Sequence, residues 1–404
     1  MFTLISRHQI NFSKAERRVI ENALLGLADN SIDYTSSFEN NFARYIGTRY
    51  AVSVPSARQA LFAILKALSF KPGEEVILPA YSFWAVVEVV KSLGLIPVFA
   101  EIHADTYNLA CASLKEKITA RTRAIIVEHI FGQPADIDPL RHIARENNLV
   151  LIEDCAQACG SQYRNRMAGS FGEINYFSFA KGKNLTTLSG GMITTNDPGL
   201  YESIYGELTN GRKRLNQKSV SQLLFSGLMQ HFITLNPVVY FPVAIAAGSL
   251  LGNNLQERPS SFIPQAVESS LCRLNNVLAH IGLLQLSRIN QLNDKRIENT
   301  DILRRGLSGV AGIKLQKQRE GIISTYSCFS IEIEAEKRDE FSRKLLLKGI
   351  DCRKDWMSYY LDDAKLKNLP KKILYLPNYP ALDEQELFLI IAGVKDVIAG
   401  LNRR

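Results

Sequence analysis

Leu149-Val150-Leu151-Ile152-Glu153-Asp154-Cys155-Ala156-Gln157 is an aliphatic run that stops on two acids. Such a run, short and without alternation, reads as a strand buried on both faces of a parallel sheet. Asp154 then sits at its C-terminal tip, where ligands of open α/β sheets bind. Similar runs at Val76-Ile77-Leu78, Pro97-Val98-Phe99 and Ala124-Ile125-Ile126-Val127 alternate with helical patterns between about residues 38 and 200. The expectation is an α/β fold with a mostly parallel central sheet. An arm and an amphipathic helix precede it, over residues 1 to about 30. A long helical pattern, Ala279 to Leu307, and a strand, Ser327 to Ile333, point to a smaller C-terminal α+β domain. The division is expected at 1–255 and 256–404, which suits a 404-residue chain.

About thirty residues after Asp154 comes Ser178-Phe179-Ala180-Lys181-Gly182-Lys183-Asn184-Leu185, a Gly-containing loop behind a second short strand, Tyr176 to Phe179. The two segments supply what pyridoxal phosphate chemistry needs. An amine carries an aldehyde as an imine and later moves a proton. A carboxylate keeps the pyridine nitrogen protonated, so that the ring acts as an electron sink. A hydroxyl grips the phosphate. Lys181 or Lys183 fits the first role, Asp154 the second and Ser178 the third, and Gln157 could reach the ring hydroxyl. Taken singly, each has an ordinary reading: a surface lysine, or an aspartate capping a helix.

These segments resemble the DegT/DnrJ/EryC1/StrS sugar aminotransferases, PLP enzymes of fold type I, and the resemblance runs over nearly the whole chain. Ser178 to Leu185 is similar to that family's Ser-Phe-His-x-x-Lys-x-Leu, which selects Lys183 as the imine lysine and makes Ser178 a phosphate ligand. Glu153 to Gly160 matches Glu-Asp-x-Ala-Gln-x-x-Gly, implying Asp154 at the pyridine nitrogen and Gln157 at the ring hydroxyl. Ser189-Gly190-Gly191 matches the turn that follows the lysine. Lys71 to Phe83 is similar to the family's Pro-Gly-Asp-Glu-Val…Thr-Phe segment. That makes Phe83, ahead of Trp84, the aromatic stacked on the ring; a core aromatic is the plain alternative. Phe38 to Gly47 and Ile373 to Pro380 resemble the entry helix and the C-terminal Leu-Pro segment.

Three positions depart from the pattern. Ala180 replaces the histidine. The phosphate loop reads Ser56-Ala57-Arg58, where Ala57 gives up the backbone freedom of glycine, Arg58 adds a charge and the helix start still favours an anion. Leu271 stands where an asparagine reaches the partner subunit's phosphate; Asn275 or Asn276 could substitute. The function the resemblance implies is transfer of an amino group from an amino acid, glutamate foremost, to a keto-sugar, nucleotide-linked by the family's substrate class, by a homodimer. A sugar dehydratase and a non-catalytic scaffold are the alternatives. Lys183 speaks against the first, because the related dehydratases carry histidine there.

Composition agrees with a globular enzyme: 46% hydrophobic and 22% charged residues. Six scattered cysteines without a C-x-x-C pair or a histidine cluster indicate neither a metal site nor a disulfide framework, and suggest a reducing cytoplasm. The net charge of +8 suits an anionic partner. Basic residues are spread out, densest at Arg212-Lys213-Arg214, without the aromatic pattern of a nucleic-acid module. Ser219 to Gln256 contains no Asp, Glu, Lys or Arg. Pro237 and Pro242 break any continuous helix, leaving three readings: a buried insertion or dimer contact, a monotopic patch on the inner membrane face, or a wall for an acyl or lipid-linked substrate.

Overall fold

A computed structural model describes residues 4–10, 12–29, 31–209, 217–236, 238–240, 242 and 271–403. The strands of the first body are β1 (Tyr50–Val54), β2 (Glu75–Pro79), β3 (Tyr81–Ser82), β4 (Ile96–Ala100), β5 (Thr122–Glu128), β6 (Val150–Asp154), β7 (Gln162–Tyr163), β8 (Arg166–Met167), β9 (Ile174–Ser178) and β10 (Gly191–Thr195). Its helices are α1 (Lys14–Leu24), α2 (Tyr34–Ile46), α3 (Ala57–Ala67), α4 (Trp84–Ser92), α5 (Cys111–Lys117), α6 (Ile137–Glu146), α7 (Pro198–Thr209) and α8 (Gln217–Leu235). The central sheet runs β1-β10-β9-β6-β5-β2-β4. From β9 to β4 every pairing is parallel; β10 and β1 are antiparallel. The mostly parallel sheet read from the aliphatic runs is therefore the sheet that forms.

Helices cover both faces, so side chains alternate between two cores. Ala124 and Ile126 of β5, Ile152 of β6 and Ile174 and Tyr176 of β9 pack with α3 and α4. Ile125, Val127 and Leu151 face the opposite layer, with Ile137, Leu140 and Ile143 of α6. This parity of two decides which residues at the strand tips share a site.

The C-terminal body holds β11 (Lys314–Leu315), β13 (Phe329–Glu332), β14 (Arg353–Lys354) and β16 (Ile373–Leu376) in the antiparallel order β11-β13-β16-β14, while β12 (Ile322–Ile323) pairs with β7. The long helical pattern from Ala279 breaks at Ser287–Arg288 into α9 (Asn276–Leu286) and α10 (Ile289–Leu307). Then come α11 (Ala335–Leu347), α12 (Leu369–Lys372) and α13 (Glu384–Asn402). Residues Leu303, Phe329, Phe341, Ile390 and Val394 build its core.

Two pieces cross the expected division at 255/256, which itself lies outside the described residues. Leu274, Leu278 and Ile281 pack into the first body with Phe38 and Phe42 of α2. Conversely, the N-terminal arm joins the second body: Ile5 bridges to Ile350, and Arg7 pairs with Asp351 at 2.6 Å. Of the uncharged stretch, residues 219–235 lie in α8, with Phe225, Phe232 and Leu235 exposed. Residues 243–256, like the basic run 212–214, fall outside the described residues. Among the described residues, no helix is long and apolar enough to cross a membrane.

Adjacent acids at the tip of β6 point to opposite faces. Glu153 is fully buried on the α6 side, where it accepts N–H groups from Gly169 (2.9 Å), Phe171 (2.6 Å) and Gly172 (2.8 Å). His129 meets its second oxygen at 3.0 Å, and His129 Nδ1 accepts from the Ala135 N–H, so Nε2 carries the proton toward Glu153. Burial opposes the charge of Glu153, but these donors together hold its pKa below the ordinary value. Cys155 lies close to this pair. With four donors on Glu153 and both ring nitrogens of His129 engaged, the group is built to hold the turn at 169–172. Replacing Glu153 with Gln should cost on the order of 3 kcal/mol, because a buried acceptor cluster loses its charge. The depressed pKa fixes the sign: the contribution is complete above the unfolded carboxyl's pKa and is lost as pH falls through the lower folded value. Urea unfolding should show the wild-type advantage at neutral pH and its shrinkage in acid; an equal midpoint at neutral pH would refute the role.

Candidate active site

The face packed under α3 and α4 ends, at the C-terminal tips, in Glu128 of β5, Asp154 of β6 and Tyr176 and Ser178 of β9. All four line one cavity of about 1880 Å³. Ala57, Arg58, Phe83, Gln157 and Lys183 line it too, so every residue expected at the site from the sequence reaches the same space.

Asp154 is buried, with Oδ1 accepting the Ala156 N–H (2.8 Å) and Oδ2 the Tyr176 hydroxyl. Burial raises its pKa, against these two donors and the nearby Lys183. The Tyr176 hydroxyl, enclosed beside this acid, is pushed well above the ordinary tyrosine range. Gln157 is oriented by the Phe131 N–H, which its Oε1 accepts at 3.1 Å. Its NH₂ group is the end left for a ligand. Phe131 holds a left-handed backbone (φ 59°) to aim that N–H, a strained conformation of the kind found at sites.

The two lysines are used differently. Lys181 donates to Ser226 Oγ of α8 at 3.1 Å. Gly182, at φ 82°, turns the chain between them. Lys183 is half-buried, and its nearest charges are Asp154, Arg353 and Glu128. Loss of solvent lowers its pKa, while the carboxylates act in the other direction. A lysine so placed is neutral more often than one in water, as a nucleophilic amine needs.

Opposite, Ser56 caps α3 by accepting the Gln59 N–H, leaving the amides of the first turn for an anion. Ser178 ends β9 in register with Gly191, which begins β10. A Cβ on Gly191 would lie 2.9 Å from the Ala57 nitrogen, so glycine is what lets β10 pass under the start of α3. Ser189 Oγ donates to the Pro55 carbonyl at 2.8 Å and ties the lysine loop to this helix start. Arg58 is exposed and forms no ion pair among the described residues. Phe83, at the N-terminus of α4, is partly buried between two cores and also faces the cavity.

Three positions have structural explanations. Leu271 is wholly buried in the core beneath α3. Asn275 caps α9 through the Val277 N–H, and Asn276 accepts from Tyr34 and Thr35 and donates to Ile32. Neither asparagine lines the cavity of its own chain.

The sequence reading missed several lining groups. Strand parity alone points to Glu128 and Tyr176, each two residues from an aliphatic core position. Arg353 and Trp356 have no local signal. They arrive from the C-terminal body, where β15 (Ser358–Tyr359) pairs with β3 and lays that segment across Tyr81-Ser82. Asp355 secures it by accepting the hydroxyls of Tyr81 and Tyr375, and burial pushes its pKa up to about 6.

A lysine, an acid on a strand tip, a helix N-terminus and an aromatic lid thus enclose one space. The chain belongs to the DegT/DnrJ/EryC1/StrS aminotransferase family. The family's sequence profile matches residues 13–235 and 253–395. GDP-perosamine synthase of Escherichia coli O157:H7 is 28% identical over 374 residues, covering 90% of each chain. A dTDP-3-amino-3,6-dideoxy-alpha-D-galactopyranose transaminase of Aneurinibacillus thermoaerophilus is 40% identical over 199 residues, 49% of this chain and 54% of its own. The S. venezuelae DesV crystal structure, in complex with a ketimine intermediate, superposes with a TM-score of 0.76 at 25% identity, covering 98% of both chains. The fold is that of the family's PLP enzymes, and family membership implies pyridoxal phosphate as the cofactor.

The shift at Lys183 predicts a pH profile. In cofactor-free protein, its labelling by a small amine-reactive reagent, followed by mass spectrometry, should level off at a lower pH than that of a surface lysine. In Asp154→Asn the plateau should move lower still, because a carboxylate that stabilises the ammonium is gone. A plateau moving upward would contradict the placement.

Proposed function

We propose that this protein is a PLP-dependent aminotransferase that moves an amino group from an amino acid, glutamate foremost, to a nucleotide-linked keto-sugar in amino-sugar or surface-polysaccharide biosynthesis. The observation that carries the reading is the convergence of Lys183, Asp154, Gln157, Ser178 and the α3 N-terminus on one cavity. The sugar class follows from relatives bearing the names of GDP- and dTDP-sugar enzymes. A dTDP-4-dehydro-2,6-dideoxy-D-glucose 3-dehydratase of Saccharopolyspora spinosa is also 27% identical over 389 residues. Lys183 favours amine transfer over that reaction, since the amine is the group that carries and releases the cofactor.

The residues fit the cofactor. Asp154 would hold the pyridine nitrogen, Gln157 the ring hydroxyl, Phe83 a ring face, and Ser178 with the amides at Ala57 and Arg58 the phosphate. When bound, pyridoxal phosphate supplies the electron sink that lets a proton leave the carbon bearing the amine. Lys183 would be the amine that moves that proton. The Tyr176 hydroxyl and the Ala156 N–H, which donate to Asp154 and oppose the effect of its burial, would help it pair with a protonated ring nitrogen. Arg353, whose guanidinium lies 4.2 Å over the Trp356 ring and forms no ion pair among the described residues, is the cation available to a donor carboxylate.

The enzyme is read as a cytoplasmic homodimer. Exposed Phe232, Leu235, Val238 and Val239 at the end of α8 would serve either the second copy or peripheral contact with the inner membrane face. Sedimentation with and without anionic vesicles separates these uses. The function is tested by the visible spectrum of the purified protein before and after glutamate. A visible cofactor band that glutamate bleaches supports the reading. Lys183→Ala should abolish band and turnover, and Asp154→Ala should keep cofactor but lower turnover at least 100-fold. A protein without a band after incubation with pyridoxal phosphate, or a Lys183→Ala variant with full turnover, would overturn it.

A further inference from the structure

Glu128 is a carboxyl group in the cavity that the reaction above leaves unused. It is the last residue of β5, and its Cα pairs in parallel register with that of Asp154. Both side chains lie on the same sheet face, a strand spacing apart, and Glu128 is only 3% exposed. The groups facing it come from every neighbouring element: Asp154 from β6, Tyr176 from β9, Lys183 from the loop beyond, and the Ser82 hydroxyl and Phe83 N–H from β3 and α4. His129, next in the chain, is turned away to Glu153.

Two buried carboxylates side by side do not both ionise. Lys183 is one cation for two acids. Burial raises the pKa of both, but the Tyr176 hydroxyl and the Ala156 N–H offset part of the rise at Asp154, while burial and Asp154 together push Glu128 well above the ordinary carboxyl range. A neutral carboxylic acid still accepts hydrogen bonds. Glu128 accepts the Ser82 hydroxyl, and Ser82 is the residue that leads the chain to Phe83 and so brings the aromatic ring to the cavity.

We propose that Glu128 is a positioning residue: a neutral carboxylic acid that clamps Ser82–Phe83 to the strand tips, so that Phe83 covers the cofactor, while the charge of the pair stays on Asp154. The inference rests on the pyridoxal phosphate reading. It requires that an uncharged group of the same shape can do the work, and that a group without hydrogen-bonding atoms cannot.

Both tryptophans of the chain, Trp84 and Trp356, line this cavity, so quenching of their fluorescence reports binding at the site itself. Cofactor-free protein would be titrated with pyridoxal phosphate, and the pH midpoint of the visible band recorded. Glu128→Ala and Ser82→Ala should each weaken binding about 10-fold, the loss of about one hydrogen bond to a buried group. The double variant should be little worse than either single one. Glu128→Gln should restore wild-type affinity and keep the wild-type pH midpoint. Wild-type affinity in Ser82→Ala, or in a folded Glu128→Ala, would overturn the clamp. A Glu128→Gln protein that binds as weakly as Glu128→Ala, or whose midpoint moves by about one unit, would overturn the neutral state. Should Glu128→Ala fail to fold, Ser82→Ala and Glu128→Gln decide the question. Absence of quenching in the wild type would instead remove the cofactor reading itself.

Discussion

The site depends on the parity of β6. Glu153 and Asp154 are neighbours in sequence and lie on opposite faces of the sheet. Glu153 is spent entirely on structure, gathering three backbone N–H groups of the 169–172 turn and the His129 ring. Because it cannot rotate away without orphaning those donors, Asp154 cannot leave the cavity side. A slip of one residue would exchange the two acids. The turn that Glu153 holds leads into β9, so the same buried carboxylate also fixes where Tyr176 and Ser178 emerge.

A second constraint closes the space. The C-terminal body reaches the site through β15, which adds to β3, and through Asp355, which binds tyrosines from both bodies. The contact brings Arg353 and Trp356 opposite Lys183. It also explains why the N-terminal arm belongs with the second body: Arg7 and Tyr240 both bind Asp351, at the edge of the same cavity. Cofactor pocket and outer vestibule are thus built by different parts of the chain.

Much of the first part was legible in the sequence, for physical reasons. A strand buried on both faces must be aliphatic throughout, so β2, β5 and β6 announce themselves, and the acid ending β6 stands out against that background. The lysine loop follows the same logic. Phe83 was singled out by the resemblance of Lys71 to Phe83 to a family segment, not by any local pattern. What stayed hidden needed long-range pairing. Nothing near Arg353 or Trp356 indicates that β15 will dock on β3. The helix break at Ser287–Arg288 carries neither proline nor glycine to mark it, so the helical pattern ran through it. Glu128 was within reach: parity puts it on the face of Ile126. It lies just past the aliphatic run, where an acid reads as the start of a solvated loop.

The uncharged stretch gains a partial explanation from the cavity. Phe225, Met229 and Ile233 of α8 line its outer part together with Leu346 and Leu347 of α11. Phe225, Met229 and Leu347 are exposed because the cavity is open there. A charge on this face of α8 would sit near Lys181, Arg343 and Arg353, where an acid would compete with an anionic ligand for the same cations. Absence of acids therefore keeps the basic groups available, and absence of bases avoids crowding positive charge on a half-buried wall. An apolar helix is what remains. That argument applies to the inner face of α8 alone. Phe232, Leu235 and Val238 are exposed without lining the cavity, so the cavity does not account for their lack of charge.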